Sequence, residues 1–276
     1  TVPCHLLAKK GWPDVIKEIS VQTAEQLLSS DRYKHLNELE DLQLNGPDLK
    51  CYLAGGAVVI IESVLGDSCI QIVPGMDQGE LSEQCLLLKQ LVENKGWLTL
   101  FERDLLDYAE FHQSFDVLRL ENAKSFLFPD DIHEAPSIDI HIRRLTPNDE
   151  ELAHAFECEE QLPYRRPSFA QLFDILVNRN QGAIYAYMLD GRIVGYLSAV
   201  PSYADAWDTD YICVLPEYRG HGIGLELAKA YAWDMRSRGL RAYWSNAVNE
   251  KSETVALKAG FRLVRESLYV EISRKK

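Results

Sequence analysis

The second half of the chain alternates between short apolar runs and segments whose apolar residues recur at helical spacing. IDIHIRRL (138–145) and DTDYICV (208–214) show the alternation expected of half-buried strands. The apolar runs on either side of Asp190-Gly191 predict a hairpin, because this dipeptide favours a tight turn between two strands. RAYWSNAV (241–248) and FRLVRESLYVEI (261–272) predict two further strands.

Helices are predicted between these strands. The first, TPNDEELAHAFE (146–157), starts with Thr146 as N-cap, Pro147 at the first helical position and acids in the first turn. A second is expected around residues 169–177, and NEKSETVALKAG (249–260) predicts a late one. The longest has one apolar face and ends near Gly239; that face contains Ile223, Leu227, Ala228, Tyr231 and Met235. The order β-α-α-β-β-β-α-β-α-β predicts an α/β fold with a mixed sheet.

The first half of the chain repeats part of this pattern. LKCYLAGGAVVIIESV (49–64) resembles the hairpin, with Gly55-Gly56 in the place of Asp190-Gly191. An apolar run, a helical segment, a strand, a helix and a strand then follow as far as Phe128, and Pro74 aligns with Pro216. The pattern favours an ancient duplication whose first copy is degenerate, the alternative being two α/β domains that share common elements by chance.

A linker separates the two halves. FPDDIHEAPS (128–137) combines prolines and acidic residues without apolar periodicity, which is typical of a connecting segment. The sequence therefore predicts a first domain of residues 1–136 and a second of residues 137–276.

Composition excludes several classes of partner. The net charge is −13, and 23 acidic but only 11 basic residues precede position 137, so nucleic-acid binding is not expected. The chain contains no run of ~18 apolar residues, so no membrane span is predicted. The six cysteines lack CxxC spacing and the histidines form no ligand pairs, so free thiols and no metal are predicted.

The chain carries no recognisable secretory or transit pattern, and the cysteine pattern suits a reducing compartment. Both observations predict a cytoplasmic protein. A mitochondrial location is the alternative if a transit peptide precedes Thr1, which is not an initiator residue.

VLPEYRGHGIGLELA (214–228) joins a predicted strand to the longest predicted helix through three glycines. A helix start without side chains presents free N–H groups, which together with the helix dipole form an anion site. Gly220, Gly222 and Gly224 would let the backbone approach a phosphate, and Arg219 can add a charge-assisted contact. A tight turn with close helix packing would explain the same glycines without a ligand.

Two motifs carry a resemblance to a known family. RGHGIG (219–224) resembles the pyrophosphate-binding R/Q-x-x-G-x-G/A motif of the GNAT superfamily of N-acetyltransferases. NEKSETVALKAGF (249–261) is similar to that superfamily's N-x-x-[AS]-x-x-hydrophobic-x-x-K-x-G-F element, and the order of strands and helices agrees across residues 138–272. LPEYRGHG (215–222) and the segment 165–168 further resemble the glycine N-acyltransferase-like branch, which also carries an N-terminal domain of comparable size.

The resemblance implies an acyl-coenzyme A co-substrate, either acetyl-CoA or another acyl-CoA. Its pyrophosphate would lie on the amides of residues 220–224, including those of His221 and Ile223, and its pantetheine arm would pair with the backbone of Cys213, Val214 and Leu215. Asn249 and Ser252 would reach the arm or its thiol end.

The resemblance also implies that an amine attacks the thioester, so the amine must lose a proton and a strand amide near Val214 must stabilise the oxyanion. Asp208 and Asp210, two residues apart on one strand face, are the candidate bases. Asp208 is favoured because it stands eight residues before Pro216, where the glycine N-acyltransferase-like branch places its base, whereas Asp210 is nearer the place of the base in other members. The alternative is that both are solvated charges at a strand end. Many members have a thiol-protonating tyrosine where this chain has Ala256, so Ser252, water or another tyrosine would have to act instead.

Acceptor contacts are expected from QLPYRRPSF (161–169), where Tyr164, Arg165 and Arg166 could hold an acceptor carboxylate. An exposed arginine pair beside a helix start is the alternative. The function predicted is N-acyl transfer from acyl-CoA to the amine of a small molecule or amino acid such as glycine. The alternatives are a catalytically silent acyl-CoA sensor, and an acetyltransferase that modifies an antibiotic or a protein N-terminus.

Overall fold

A computed structural model of the chain describes residues 16–64, 67–74, 81–132, 134–156, 167–247 and 249–275. The strands are β1 Ile16–Ile19, β2 Lys50–Ala54, β3 Ala57–Val64, β4 Asp67–Val73, β5 Lys95–Leu100, β6 Phe115–Leu127, β7 Ile142–Arg144, β8 Ala183–Leu189, β9 Arg192–Pro201, β10 Ala206–Val214, β11 Arg241–Ala247 and β12 Arg262–Arg274. The helices are α1 Val21–Leu28, α2 Leu36–Asn45, α3 Leu81–Leu91, α4 Asp104–Asp107, α5 Ala109–Ser114, α6 Glu150–Ala155, α7 Phe169–Phe173, α8 Ile223–Ser237 and α9 Glu250–Lys258.

The chain divides into two compact units whose limits differ from the expected boundary at residues 136 and 137. The first unit consists of the described residues up to Ala123 together with those from Glu266 onward, and the second is Lys124–Arg265. The end of β6 therefore belongs to the second unit and most of β12 to the first. β6 and β12 have similar apolar patterns, so the sequence could not show that each completes the other unit's sheet.

In the first unit, β1, β2, β3 and β4 pair antiparallel in chain order. β4 pairs with β5 in parallel, and β5 pairs antiparallel with Leu268–Ser273 of β12. The buried core lies between this sheet and α3 to α5, and includes Val59, Ile70, Leu88, Phe111, Phe115 and Val270. Three elements before Leu49, namely β1, α1 and α2, were not predicted.

In the second unit, β7, β8, β9 and β10 pair antiparallel in chain order. β10 pairs with β11 in parallel, and β11 pairs antiparallel with the end of β6. One face of the sheet packs against α8 and α9, and the other packs against α6 and α7. The second unit thus has a mixed sheet between helices, and the predicted α/β class is confirmed.

Most of the predicted elements of the second unit are present, but the first predicted strand is shorter than expected. The structure begins β7 at Ile142, because Asp139 holds the preceding residues in a turn. Its carboxylate accepts from the His141 amide at 3.0 Å and from the Tyr187 hydroxyl at 2.7 Å. These hydrogen bonds, led by that from the backbone, lower the pKa of Asp139 to about 2.

The described cysteines Cys51, Cys69, Cys85 and Cys213 form no disulfide with one another. Burial raises the pKa of the Cys51 thiol to about 11. Within the described part of the chain, no helix combines the length and the apolar character needed to cross a bilayer.

Candidate functional site

The parallel strands β10 and β11 separate part-way along their length. Ala206, Trp207 and Asp208 pair with Arg241, Ala242 and Tyr243, and the ladder between the described residues of the two strands ends there. β10 continues along β9 as far as Val214, while β11 continues along β6 as far as Ala247. The sheet therefore opens into a fork between the second half of β10 and the second half of β11.

The backbone of β10 is exposed to this fork at alternate residues. The Leu215 amide donates to the Val194 carbonyl at 3.0 Å, so in the β9–β10 ladder residues 213 and 215 direct their backbone groups toward β9. Ile212 and Val214 consequently direct theirs away from β9, into the fork. The Val214 amide thus has the orientation expected of an oxyanion donor.

Arg219 closes one end of the fork. Its Nε donates to the Val214 carbonyl at 2.8 Å, and its side chain is exposed. The expected role of Arg219 was a direct phosphate contact. In the structure the guanidinium also fixes the end of the strand against the glycine loop, so one side chain links the two parts of the candidate site.

The glycine loop leads directly into α8. Gly220 and Gly222 have φ values of 82° and 83°, which side chains with a Cβ rarely adopt. Gly222 is the N-cap of α8 and offers no side chain to the first N–H groups of that helix. A Cβ at either glycine would meet no atom of the described residues within 4 Å. The start of α8 therefore presents uncapped amides on an open surface, as anion binding requires.

The other loop residues differ from the expectation in detail. Gly224 lies in the helix, and a Cβ there would make ordinary contacts of 3.6 Å with Ile212 and 4.0 Å with Val255, so the protein itself does not require glycine. The Ile223 side chain is buried, which leaves only its backbone for a ligand. His221 is exposed, and its Nδ1 lies 3.2 Å from the Tyr218 carbonyl.

Asp208 and Asp210 lie on the face of the sheet that packs against α6 and α7. Asp208 is opposite Val200, and the Ser198 hydroxyl donates to Asp210 Oδ2 at 2.9 Å. Val200 and Ser198 share a face because they are two residues apart in β9. The register shifts between Thr209 and Tyr211, so Asp210 occupies a bulge where the sequence predicted regular alternation.

The two carboxylates have different surroundings. Asp208 Oδ1 accepts from the Ser245 amide of β11 at 3.0 Å, so Asp208 spans the fork itself. Asp210 is exposed and bonds toward β9, on the side away from the fork. Asp208 is thus the candidate base that lies between the parted strands.

Asn249 and Ser252 lie at the start of α9. Asn249 is the N-cap, and its Oδ1 accepts from the Ser252 amide at 2.9 Å. The Ser252 hydroxyl accepts from the Trp244 indole at 3.0 Å, which leaves the hydroxyl proton to donate elsewhere. Ala256, at the position where the resemblance to GNAT members predicts tyrosine, lies in α9 and is fully buried.

The acceptor candidates Tyr164, Arg165 and Arg166 lie outside the described residues. The described chain resumes before Ser168, whose side chain and that of Gln171 form a capping box at the start of α7. On the same face of the sheet, the ring of Phe169 packs 4.5 Å from that of Tyr196.

Sequence reasoning missed the groups at the base of the fork. The Tyr231 hydroxyl of α8 bonds to the backbone of both parted strands, and the Thr209 hydroxyl donates to the Tyr243 carbonyl at 3.2 Å. Tyr231 was assigned only to the apolar face of its helix. A tyrosine on a buried face needs a partner for its hydroxyl, and that requirement was the available signal.

Residues 149–261 match the family model of the acetyltransferase (GNAT) family. The match assigns this segment, which is less than half of the chain, to a family of transferase enzymes that use acetyl-CoA or another acyl-CoA. The matched residues include the fork, the glycine loop and both candidate carboxylates. No protein of curated function matches the chain by sequence.

Solved structures share the GNAT fold over nearly the whole chain. A GCN5-related N-acetyltransferase from Sphaerobacter thermophilus is 15% identical, with a TM-score of 0.64 and 96% of each chain covered. A GNAT-family acetyltransferase from Colwellia psychrerythraea is 14% identical, with a TM-score of 0.52 and coverage of 95% of this chain and 99% of that one. A tandem GNAT protein from the clavulanic acid biosynthesis pathway is 12% identical, with a TM-score of 0.52 and coverage of 94% and 98%. At these identities the likeness concerns the fold.

Proposed function

We propose that this GNAT enzyme transfers an acyl group from acyl-CoA to the amine of a small molecule or an amino acid. The observation that carries the proposal is the fork between β10 and β11 beside the uncapped start of α8. The choice of a small acceptor rests on the resemblance of residues 215–222 to the glycine N-acyltransferase-like branch.

The residues present suit the parts of an acyl-CoA. The amides that follow Gly222 and the positive end of the α8 dipole suit the pyrophosphate, because they favour negative charge. The outward backbone groups of Ile212 and the outward amide of Val214 suit the pantetheine arm, which carries amides of its own. Ser252 lies across the fork from β10, on α9, and can donate a hydrogen bond toward the sulfur.

Acyl-CoA supplies an acyl group that is activated as a thioester. In the proposed reaction the acceptor nitrogen forms a bond to the acyl carbon, the carbon–sulfur bond breaks, and CoA leaves as a thiolate that takes up a proton from water. Asp208 accepts the proton that the amine must lose, and the bond from the Ser245 amide holds its carboxylate between the parted strands. The Val214 amide donates to the carbonyl oxygen as negative charge develops there.

A catalytically silent acyl-CoA sensor is the second candidate. It is favoured by Ala256, a buried residue that can neither donate nor accept a proton through its side chain. A sensor would keep the fork and the glycine loop but would release no thiol when acyl-CoA and an amine are mixed.

Two measurements on the purified protein test the proposal. Isothermal titration with CoA should show binding, and a screen of several acyl-CoAs against a panel of small amines and amino acids should show free thiol release. Binding without release from any pair would favour the sensor. Absence of CoA binding would overturn both candidates.

A further inference from the structure

The hydroxyl of Tyr231 stands between the two strands at the point where they part. It lies 2.5 Å from the Trp207 carbonyl of β10, and the Tyr243 amide of β11 donates to it at 3.2 Å. In a regular parallel ladder, the amide of one residue bonds to the carbonyl that precedes its partner on the neighbouring strand. Asp208 is the partner of Tyr243, so the hydroxyl lies against the last rung of the ladder, where it is also 3.1 Å from the Tyr243 carbonyl.

Beyond this rung, the next β11 amide that faces β10 binds a side chain and not the backbone. The Ser245 amide, two residues beyond Tyr243, donates to the Asp208 carboxylate at 3.0 Å. Between them, the Thr209 hydroxyl donates to the Tyr243 carbonyl at 3.2 Å. The strands are thus bridged by the hydroxyls of Tyr231 and Thr209 at the last rung and by the Asp208 carboxylate beyond it.

Tyr231 is held rigidly in this position. Its side chain is fully buried, and its ring packs against that of Tyr185, with the centroids 5.9 Å apart. Burial, with the nearby Asp208 as the next cause, raises the pKa of Tyr231, so the hydroxyl keeps its proton and donates at any physiological pH. The hydrogen bond from this hydroxyl to the Trp207 carbonyl therefore does not depend on pH in that range.

Tyr231 also connects the fork to the glycine loop through one continuous helix. Tyr231 lies nine positions after Gly222, the N-cap of α8, which corresponds to about 13 Å along the helix axis. The position of the fork relative to the helix start is consequently fixed by backbone geometry.

We propose that Tyr231 is a positioning residue whose hydroxyl fixes the point at which β10 and β11 part, so that the outward backbone of Ile212 and the Val214 amide stay open to the pantetheine arm of CoA. The inference rests on the proposed function, since it concerns binding at the same site. In this role Tyr231 affects binding of the pantetheine arm, whereas the phosphates bind at the glycine loop.

The substitution Tyr231→Phe tests this role with two probes, CoA and adenosine 3′,5′-bisphosphate. The bisphosphate carries phosphates but no pantetheine arm. Loss of the hydroxyl should weaken CoA binding about tenfold, because both strands lose a hydrogen bond to it and the point at which they part is no longer fixed. Affinity for the bisphosphate should stay within about twofold of wild type, because the glycine loop is unchanged.

The matched control is Tyr185→Phe. Tyr185 is also buried and its hydroxyl donates to Asp234 at 2.5 Å, but it lies away from the fork. This variant should bind both probes as wild type does, although it also loses a buried hydrogen bond. Urea midpoints of the variants would show whether any loss of binding reflects unfolding.

A second variant, Thr209→Val, keeps the test decisive if Tyr231→Phe does not fold. It removes the hydroxyl that donates to the Tyr243 carbonyl and should weaken CoA selectively, by about threefold. Equal weakening of both probes, or unchanged CoA affinity in a folded variant, would overturn the positioning role. A wild-type protein that binds neither probe would instead refute the proposed function.

Discussion

Among the described residues, each unit contains one parallel pair of strands, and the two pairs differ. In the first unit β4 and β5 are paired at five consecutive positions, from Ser68 with Gly96 to Ile72 with Leu100. In the second unit the pairing of β10 with β11 stops after three positions, at Asp208 with Tyr243. The first pair is closed along almost the whole of β4, whereas the second opens into the fork.

Local features explain the difference. The β3–β4 ladder keeps one register from Val58 to Val64, whereas the β9–β10 ladder shifts between Thr209 and Tyr211. Alignment through Pro74 and Pro216 places Lys89 where Tyr231 stands. Lys89 is half-buried, and its Nζ lies 3.9 Å from Glu110 Oε2 on α5, so this position carries a charged side chain paired with another helix in place of a tyrosine.

The comparison shows that a shared order of strands and helices does not make a shared site. Both units run β-α-α-β-β-β-α-β-α-β in outline. The features that suit acyl-CoA are nevertheless described in the second unit, namely the bulge at Asp210, the hydroxyl of Tyr231 and the glycine loop before α8. We propose that the first unit is a degenerate copy that binds no CoA. Asp77 and Glu80, which align with Arg219 and Gly222, lie outside the described residues.

The largest effect is expected from Asp208→Asn, because it removes the proposed base from the open fork. Turnover should fall by about 10²- to 10⁴-fold, and the loss should shrink at high pH as the acceptor amine loses its proton unaided. CoA affinity should hold, because an asparagine oxygen can still accept from the Ser245 amide. Steady-state kinetics from pH 6 to about 10 would measure both effects.

Asp210→Asn is the matched control, since it changes the same charge two residues away, outside the fork. It should retain most of the turnover. If Asp208→Asn is as active as wild type and Asp210→Asn is not, the base is Asp210 and the fork serves binding alone.

The second effect in size is expected from Gly222→Asp. A carboxylate at the start of α8 would repel phosphate and a Cβ would strain a residue with φ of 83°, so CoA affinity should fall by more than about 100-fold. Gly191→Asp is matched to it, because Gly191 has φ of 74°, is equally open and lies in the β8–β9 turn. Equal affinities of the two variants for CoA would dismiss the phosphate site.

Much of this site could be predicted from the sequence where the signal is local. The tight turn at Asp190-Gly191 and the bare start of α8 depend on residues that are neighbours in the chain. The apolar face of α8, including Leu227 and Met235, is buried as the helical spacing predicts.

The remainder depends on contacts between distant residues. The hydroxyl of Tyr231 bonds to backbone atoms of residues 207 and 243, and backbone atoms carry no sequence signature. The bulge at Asp210 arises from pairing with β9, and an isolated strand pattern cannot show it. The end of β6 pairs in the second unit, and most of β12 pairs in the first. The two strands have similar apolar patterns, so the sequence could not show which strand pairs in which unit.

A smaller loss is expected from Arg219→Ala. The exposed guanidinium fixes the Val214 carbonyl and lies next to the glycine loop, so its removal should weaken CoA binding by roughly tenfold and leave the fold intact. Arg179→Ala offers a control, since Arg179 is also exposed and bonds to Asp174 at 2.6 Å on another surface. Calorimetric titration should separate the two, and an affinity unchanged by Arg219→Ala would limit the anion site to the amides of α8.

The smallest effect is expected in the first unit, where a change of charge should alter nothing at all. Glu83 lies in the first turn of α3, the helix that corresponds to α8, and its Oε2 accepts from the Gly55 amide at 2.6 Å. Glu83→Gln removes a negative charge from that helix start while it keeps the hydrogen bond. If charge alone kept CoA from the first unit, titration of this variant would show a second bound CoA per chain. Because the β4–β5 pair is closed and offers no backbone to a pantetheine arm, we expect the same stoichiometry of one per chain in Glu83→Gln and in wild type. In Gly222→Asp only the weakened binding of the second unit should remain, since we expect no CoA site in the first unit.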